Sequence, residues 1–225
     1  MPHSLAHIDT WIFDLDNTLY PASCNLFAQI DAHMGSFIMQ LLQVDAAEAR
    51  RVQKDFFHAH GMTLRGLMTE HGVDPHDFLA RVHDIDVSVV EHDAALVAAL
   101  QALPGRKLVF TNADVPYARR VLARLGLEDS FEAVHDVHAM DYRPKPDPYA
   151  YAGLCAAYAI DPTRALFVED MARNLLPAKT IGMTTVWVDN GSEQGPAAAV
   201  PDYIDYVIGD VGDWLAGVVA ELETA

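Results

Sequence analysis

Six short apolar runs, at residues 8–15, 107–110, 133–137, 165–168, 184–188 and 206–208, recur along the chain, with helical patterns between the later ones. Runs of this length bounded by polar turns read as strands, and strands alternating with amphipathic helices assemble into a parallel sheet covered on both faces. After the second run, Val115, Ala118, Val121, Leu122 and Leu125 keep helical spacing and stop at Gly126. Residues 148–159 and 172–181 read the same way, the latter ending at Gly182. The expected fold is α/β, a doubly wound, Rossmann-like parallel sheet.

Residues 20–92 break the alternation, because no comparable strand run occurs there. Leu26, Ile30, Met34, Phe37, Ile38, Leu41 and Leu42 form one helical stripe, residues 46–60 a second helix, and Phe78, Leu79 and Val82 lie on a further one. Gly61 and Gly72-Val73-Asp74-Pro75 punctuate the segment. We expect a helical domain at 20–92 inserted after the first strand, with 1–19 and 93–225 forming the core domain. Its methionines and aromatics read as packing.

A chain of 225 residues, half of them apolar, can bury one substantial core and a smaller module beside it. The net charge of −17 argues against a nucleic-acid polymer or an anionic membrane as partner, since both require a positive field at the contact. A small anion remains accessible if a cation is recruited locally. Cys24 and Cys155 are the only cysteines and lie far apart, which fits a reduced, cytoplasmic protein; a monomer or homodimer is expected. The N-terminus has no basic segment leading into an apolar stretch, and no run approaches the length of a membrane span.

The first apolar run ends in Asp14-Leu15-Asp16-Asn17-Thr18. Side chains two apart on a strand point the same way, so Asp14 and Asp16 are expected to converge at its carboxyl end, where open parallel sheets hold ligands. Neighbouring acids can divide the roles of nucleophile and proton shuttle when their environments separate their pKa values. Asp84 and Asp86 share the spacing but have no strand leading in, and read as solvated surface.

Val109-Phe110-Thr111-Asn112 delivers a hydroxyl and an amide to the end of the second strand, where both can donate to phosphate oxygens. Arg143-Pro144-Lys145-Pro146 holds Lys145 between two prolines that restrict the backbone and could fix the cation over an anion. Phe167-Val168-Glu169-Asp170 contributes two more carboxylates, with Asn174 one helical turn on, and carboxylate oxygens are what Mg2+ prefers. Capping of the following helix by Asp170 is the plainer alternative. Each signal is ordinary alone; their convergence on the carboxyl ends of separate strands carries the reading. The pairs His58/His60 and His135/His138 alternate too closely to present ligands on one helix face, so the histidines are expected at the surface or partly buried rather than at a metal. His60, beside Gly61, borders a possible insertion loop.

In this order the four motifs resemble those of the haloacid dehalogenase-like hydrolase superfamily, specifically its phosphatases, over roughly residues 8–190. The resemblance implies that Asp14 is the nucleophile and Asp16 the general acid and base. It implies that Thr111 and Lys145, joined by Asn112, bind the transferring phosphoryl. It further implies Mg2+ held by Asp14, the Asp16 carbonyl and Asp170, assisted by Thr18, Glu169 and Asn174. Dehalogenases of the superfamily work without Mg2+ and lack the second acid, so Asp16 argues for a phosphate ester. The insertion resembles the cap of one large subgroup. Asp14 to Pro21, Leu26-Phe27 and the stretch 61–67 are similar to pyrimidine 5′-nucleotidases. That similarity implies a small phosphomonoester substrate, a nucleoside 5′-monophosphate, with Tyr20, His60, Gly61, Thr63 and Leu64 setting specificity from a loop. A phosphomutase of sugar phosphates and a catalytically silent binding protein share the same motifs.

Overall fold

The computed structural model describes residues 5–191 and 200–224. Its sheet has six parallel strands: β1 (Thr10–Phe13), β2 (Arg106–Phe110), β3 (Ala133–His135), β4 (Ala165–Glu169), β5 (Thr184–Val188) and β6 (Tyr206–Ile208). Their order is β3-β2-β1-β4-β5-β6, which sets β1 at the centre between β2 and β4. Thr10 is in register with Arg106 on one side and Ala165 on the other, and the β1–β2 and β1–β4 pairs run in step to Phe13. The carboxyl ends of these three strands therefore finish side by side.

Burial on both faces explains why the strands are apolar throughout. Trp11, Phe13, Val109, Val168 and Val186 belong to one buried cluster, whereas Ile12, Leu108, Phe110, Phe167 and Trp187 belong to the other. Adjacent residues thus face opposite layers. The helices α6 (Val115–Leu125), α7 (Pro148–Tyr158) and α8 (Ala172–Thr180) follow β2, β3 and β4, and Asp114 and Asp147 cap the first two through side-chain bonds to Tyr117 N and Tyr149 N. Two further helices, α5 (Ala94–Ala102) and α9 (Val211–Thr224), were not expected from the sequence. Leu96, Ala99, Leu100, Val211, Leu215 and Val218 lie in one cluster there.

The segment between β1 and β2 opens with four helices: α1 (Leu26–Leu42), α2 (Ala46–His60), α3 (Thr63–His71) and α4 (Pro75–Val82). The expected loop at 61–67 is instead mostly helix. Gly61, with φ of 80°, ends α2 in the left-handed region, and α3 begins two residues later. The chain then returns to the core under two arginines of α6. Arg120 donates to the carbonyls of His83 and Ile85, and Arg124 to those of Ser88 and Val90. Asp84 and Asp86 are exposed on this return, around a buried Ile85.

Candidate active site

Asp14 stands one residue beyond β1, and its N–H donates to Val168 O, which extends the ladder and pins its backbone against β4. The chain then turns sharply. Thr18 N and Leu19 N both donate to Leu15 O, and Asn17 takes a φ of 58°, which an asparagine tolerates. Asn190 Nδ2 donates to Asn17 O at 2.6 Å, tying this turn to the segment after β5. The turn brings Thr18 back over Asp14, where its hydroxyl donates to Oδ2 at 3.3 Å.

Lys145 is the centre of the charge arrangement. Its ammonium donates to Asp14 Oδ1 at 2.6 Å, Glu169 Oε2 at 2.7 Å and Phe110 O at 2.8 Å, so its three protons each have an acceptor. It is 4 % exposed, between the rings of Phe110 and Phe167. Burial alone would lower its pKa, but Asp14 and Glu169 outweigh that and hold it above the ordinary lysine value. Asn112, expected at the phosphate, braces this lysine instead: Oδ1 accepts from Lys145 N at 2.9 Å and Nδ2 donates to Lys145 O at 3.2 Å. Thr111, fully buried, accepts from Ala113 N through its hydroxyl oxygen.

Asp14, Glu169 and Asp170 each offer an oxygen within 4.8 Å of the others. One lysine does not balance three buried carboxylates. Burial, then the charge of Glu169, pushes Asp14 up to about 7, and burial likewise pushes Glu169 up to about 7. Such a donor set fits a hard divalent cation, which would restore both acids to their ionised form. Asn174 Oδ1, buried in the first turn of α8, has no partner among the described residues and is the kind of acceptor that a hydrated cation satisfies. Asp170 does not serve as the helix cap, since Met171 occupies that position.

Asp16 is held differently. Its Oδ1 accepts from Tyr20 Oη at 2.6 Å and Tyr117 Oη at 2.7 Å. Burial and then the Asp16 charge raise both phenols above their ordinary pKa, so both remain donors. Tyr20 was expected against the substrate; it is 3 % exposed and turned inward to Asp16. Tyr117 was not foreseen.

The structure therefore brings together Asp14, Thr18, Lys145, Glu169 and Asp170, with Asp16 on the same turn, Thr111 at the neighbouring strand end and Asn112 bracing Lys145. It does not bring the insertion residues into that group. Thr63 donates its hydroxyl to Gln53 O, Leu64 is buried, and His60 stands 3.9 Å from Glu70 beside the ring of Phe56. These contacts belong to the packing of α2 on α3. His135, expected at the surface or partly buried, is 2 % exposed, and neither ring nitrogen has a hydrogen-bond partner among the described residues.

The family model described as haloacid dehalogenase-like hydrolase matches residues 8–182. "Phosphate metabolism protein 8" of Saccharomyces cerevisiae is 26 % identical over 191 residues, covering 77 % of this chain; the chain spans only 59 % of that relative. "N-acetylmuramic acid 6-phosphate phosphatase" of Pseudomonas aeruginosa is 28 % identical over 196 residues, covering 83 % of this chain and 85 % of the relative. Among solved structures, a HAD phosphatase from Thermococcus onnurineus aligns with a TM-score of 0.59 at 18 % identity, covering 96 % and 97 % of the two chains. L-2-haloacid dehalogenase from Xanthobacter autotrophicus aligns at 0.58 and 20 %, covering 94 % and 98 %. At these identities the structural likeness speaks for the fold.

Proposed function

The chain belongs to the haloacid dehalogenase-like hydrolase family, and from that membership and the site geometry we propose that it is a Mg2+-dependent phosphatase of small phosphomonoesters acting through an aspartyl-phosphate. The observation that carries this reading is the pairing of a lysine-bound Asp14 with a second acid, Asp16, two residues on. A dehalogenase has no use for Asp16, whereas an ester oxygen leaving as an alkoxide needs a proton donor.

Lys145 fixes Asp14 by Oδ1, which leaves Oδ2, touched among the described residues by the long Thr18 contact alone, to attack phosphorus. As the Asp14 oxygen bonds to phosphorus and the ester P–O bond breaks, Asp16 gives its proton to the departing oxygen. Water then attacks the phosphoryl on Asp14, Asp16 takes the proton back, and phosphate and free Asp14 result. Thr111 supplies a hydroxyl donor to a phosphoryl oxygen at the strand ends, and Lys145 joins it by exchanging one of its three present acceptors for the phosphoryl oxygen. Asp14, Asp170 and the Asp16 carbonyl would hold the cation, with Glu169 and Asn174 behind them. When bound, Mg2+ offsets the repulsion between carboxylate and phosphate.

The four-helix insertion serves as the cap that excludes water during transfer. For the substrate, a nucleoside 5′-monophosphate and a sugar phosphate are the two classes to separate. The Pseudomonas relative, by name a phosphatase of N-acetylmuramic acid 6-phosphate, favours the sugar phosphate, and the residues at 61–67 that suggested a nucleotide lie largely within the packing of the insertion.

The test is phosphate release from a panel holding both classes, with Mg2+ and with chelator. Asp14→Asn is expected to lower kcat by more than about a thousandfold on every substrate with folding intact. Near-normal release by that variant would sink the covalent route.

A further inference from the structure

Asp16 is bound unevenly, and the unevenness has chemical content. Both phenols, Tyr20 and Tyr117, donate to the same oxygen, Oδ1, at 2.6 and 2.7 Å. A carboxylate oxygen offers about two lone-pair directions, so two donors occupy Oδ1 fully. Oδ2 accepts no hydrogen bond from the described residues and keeps a lone pair for a proton.

Tyr117 is itself fixed from three sides. It lies in the first turn of α6, where Asp114 accepts from its N–H at 3.2 Å. The ring of His83 stacks on it with centroids 4.7 Å apart, and His83 Nδ1 stands 2.9 Å from Asp114 Oδ1. Its phenol reaches Asp16 across 101 positions of sequence. His83 caps the end of α4, so the last turn of the insertion helps to hold the phenol that holds the acid.

We propose that Tyr117 and Tyr20 are positioning residues that assign the proton-carrying role to Oδ2 of Asp16 and hold that oxygen toward the leaving group. This rests on the reading of Asp16 as general acid and base. In the transfer step, the Oδ2–H bond breaks as the leaving oxygen gains the proton, and Oδ1 keeps both phenol bonds as the carbonyl oxygen of the neutral acid and as part of the carboxylate. In hydrolysis Oδ2 takes a proton from the attacking water, with the same two bonds unchanged. The phenols exchange no proton and touch no substrate.

The test compares kcat/KM, which reports phosphoryl transfer to Asp14, for glycerol phosphate and p-nitrophenyl phosphate. An alkoxide must be protonated as it leaves; p-nitrophenolate need not be. Tyr117→Phe is expected to lower kcat/KM on glycerol phosphate roughly tenfold more than on p-nitrophenyl phosphate, a part of the 10²–10⁴-fold that a positioned acid contributes. Tyr20→Phe should show the same selectivity and serves if Tyr117→Phe does not fold. Asp16→Asn should be selective by a larger factor, and adding Tyr117→Phe to Asp16→Asn should cost nothing further. Equal losses on the two esters from both phenylalanine variants, or a full extra loss in the double variant, would overturn the proposal while leaving Asp16 as the acid. If Asp16→Asn itself failed to discriminate between the esters, the acid assignment would fall first and the positioning role with it.

Discussion

Asp14 and Glu169 show how a single lysine can be enough to build a site and too little to neutralise it. Both acids sit near pKa 7 in the folded chain against about 4 when unfolded. A raised carboxyl pKa contributes stability that is complete below the unfolded value and lost as pH rises through the folded one, so this pair weakens the cation-free protein between about pH 4 and 7. A divalent cation that binds only the ionised acids should reverse the loss at high pH. Millimolar Mg2+ is expected to raise Tm more at pH 8 than at pH 5. At a hundredfold over Kd the gain is about 2.7 kcal/mol, or roughly 5–10 °C for a chain of this size. Asp170→Asn should abolish most of the shift, and an equal shift at both pH values would contradict the linkage. The positions of Asp14, Lys145 and Asp170 were legible because each is adjacent to a recognisable strand end or proline turn. Tyr117 was not: on sequence it is one aromatic in an amphipathic helix, and only the sheet brings it to Asp16.

The insertion shows where glycine misleads at the scale of elements. Gly61 does end a helix, but Gly66 lies inside α3, where a Cβ would stand 2.4 Å from Phe56 Cγ and 2.5 Å from Phe56 Cβ. It is a point of close approach between α2 and α3, and sequence alone does not separate that from a turn. Alanine would favour the helix by about 0.8–1.0 kcal/mol, yet the clash meets the root of the Phe56 side chain, which has little freedom to move. Gly66→Ala is therefore expected to destabilise by about 1–3 kcal/mol in urea unfolding. Gly153, in α7 with nothing within 4 Å of its Cβ position, is the contrast: Gly153→Ala should stabilise by about 0.5–1 kcal/mol. Destabilisation by both would show that backbone effects, not the Phe56 contact, govern these sites. The helix α5 leaves little mark in the sequence for a related reason. AALVAALQA is almost wholly small or apolar, so it has little polar face to reveal a helical period.

Across the whole molecule, alternation predicted a parallel sheet but not its order, because strand neighbours depend on crossovers that leave no mark in the strands themselves. The order matters for the site: only with β1 between β2 and β4 do Asp14, Thr111 and Glu169 end side by side. It also bears on whether the insertion is an independent body. The cluster on one face of the sheet joins Ile38, Leu64, Leu67 and Phe78 of the insertion to Ile12, Phe110 and Phe167 of the strands, and the cluster on the other face takes in Leu26 and Ile30. Arg120 and Arg124 add bonds across the return. Shared burial of this kind makes separate melting costly, so insertion and sheet are expected to unfold as one cooperative unit. The chain provides its own probes. All three tryptophans, Trp11, Trp187 and Trp214, lie outside residues 20–92, so their fluorescence follows the sheet and α9, while far-ultraviolet circular dichroism also follows α1–α4. The two signals should give the same urea midpoint. A dichroism loss that precedes the fluorescence change would mean that the insertion opens alone, and the contacts across the two clusters would then be too weak to hold it to the sheet.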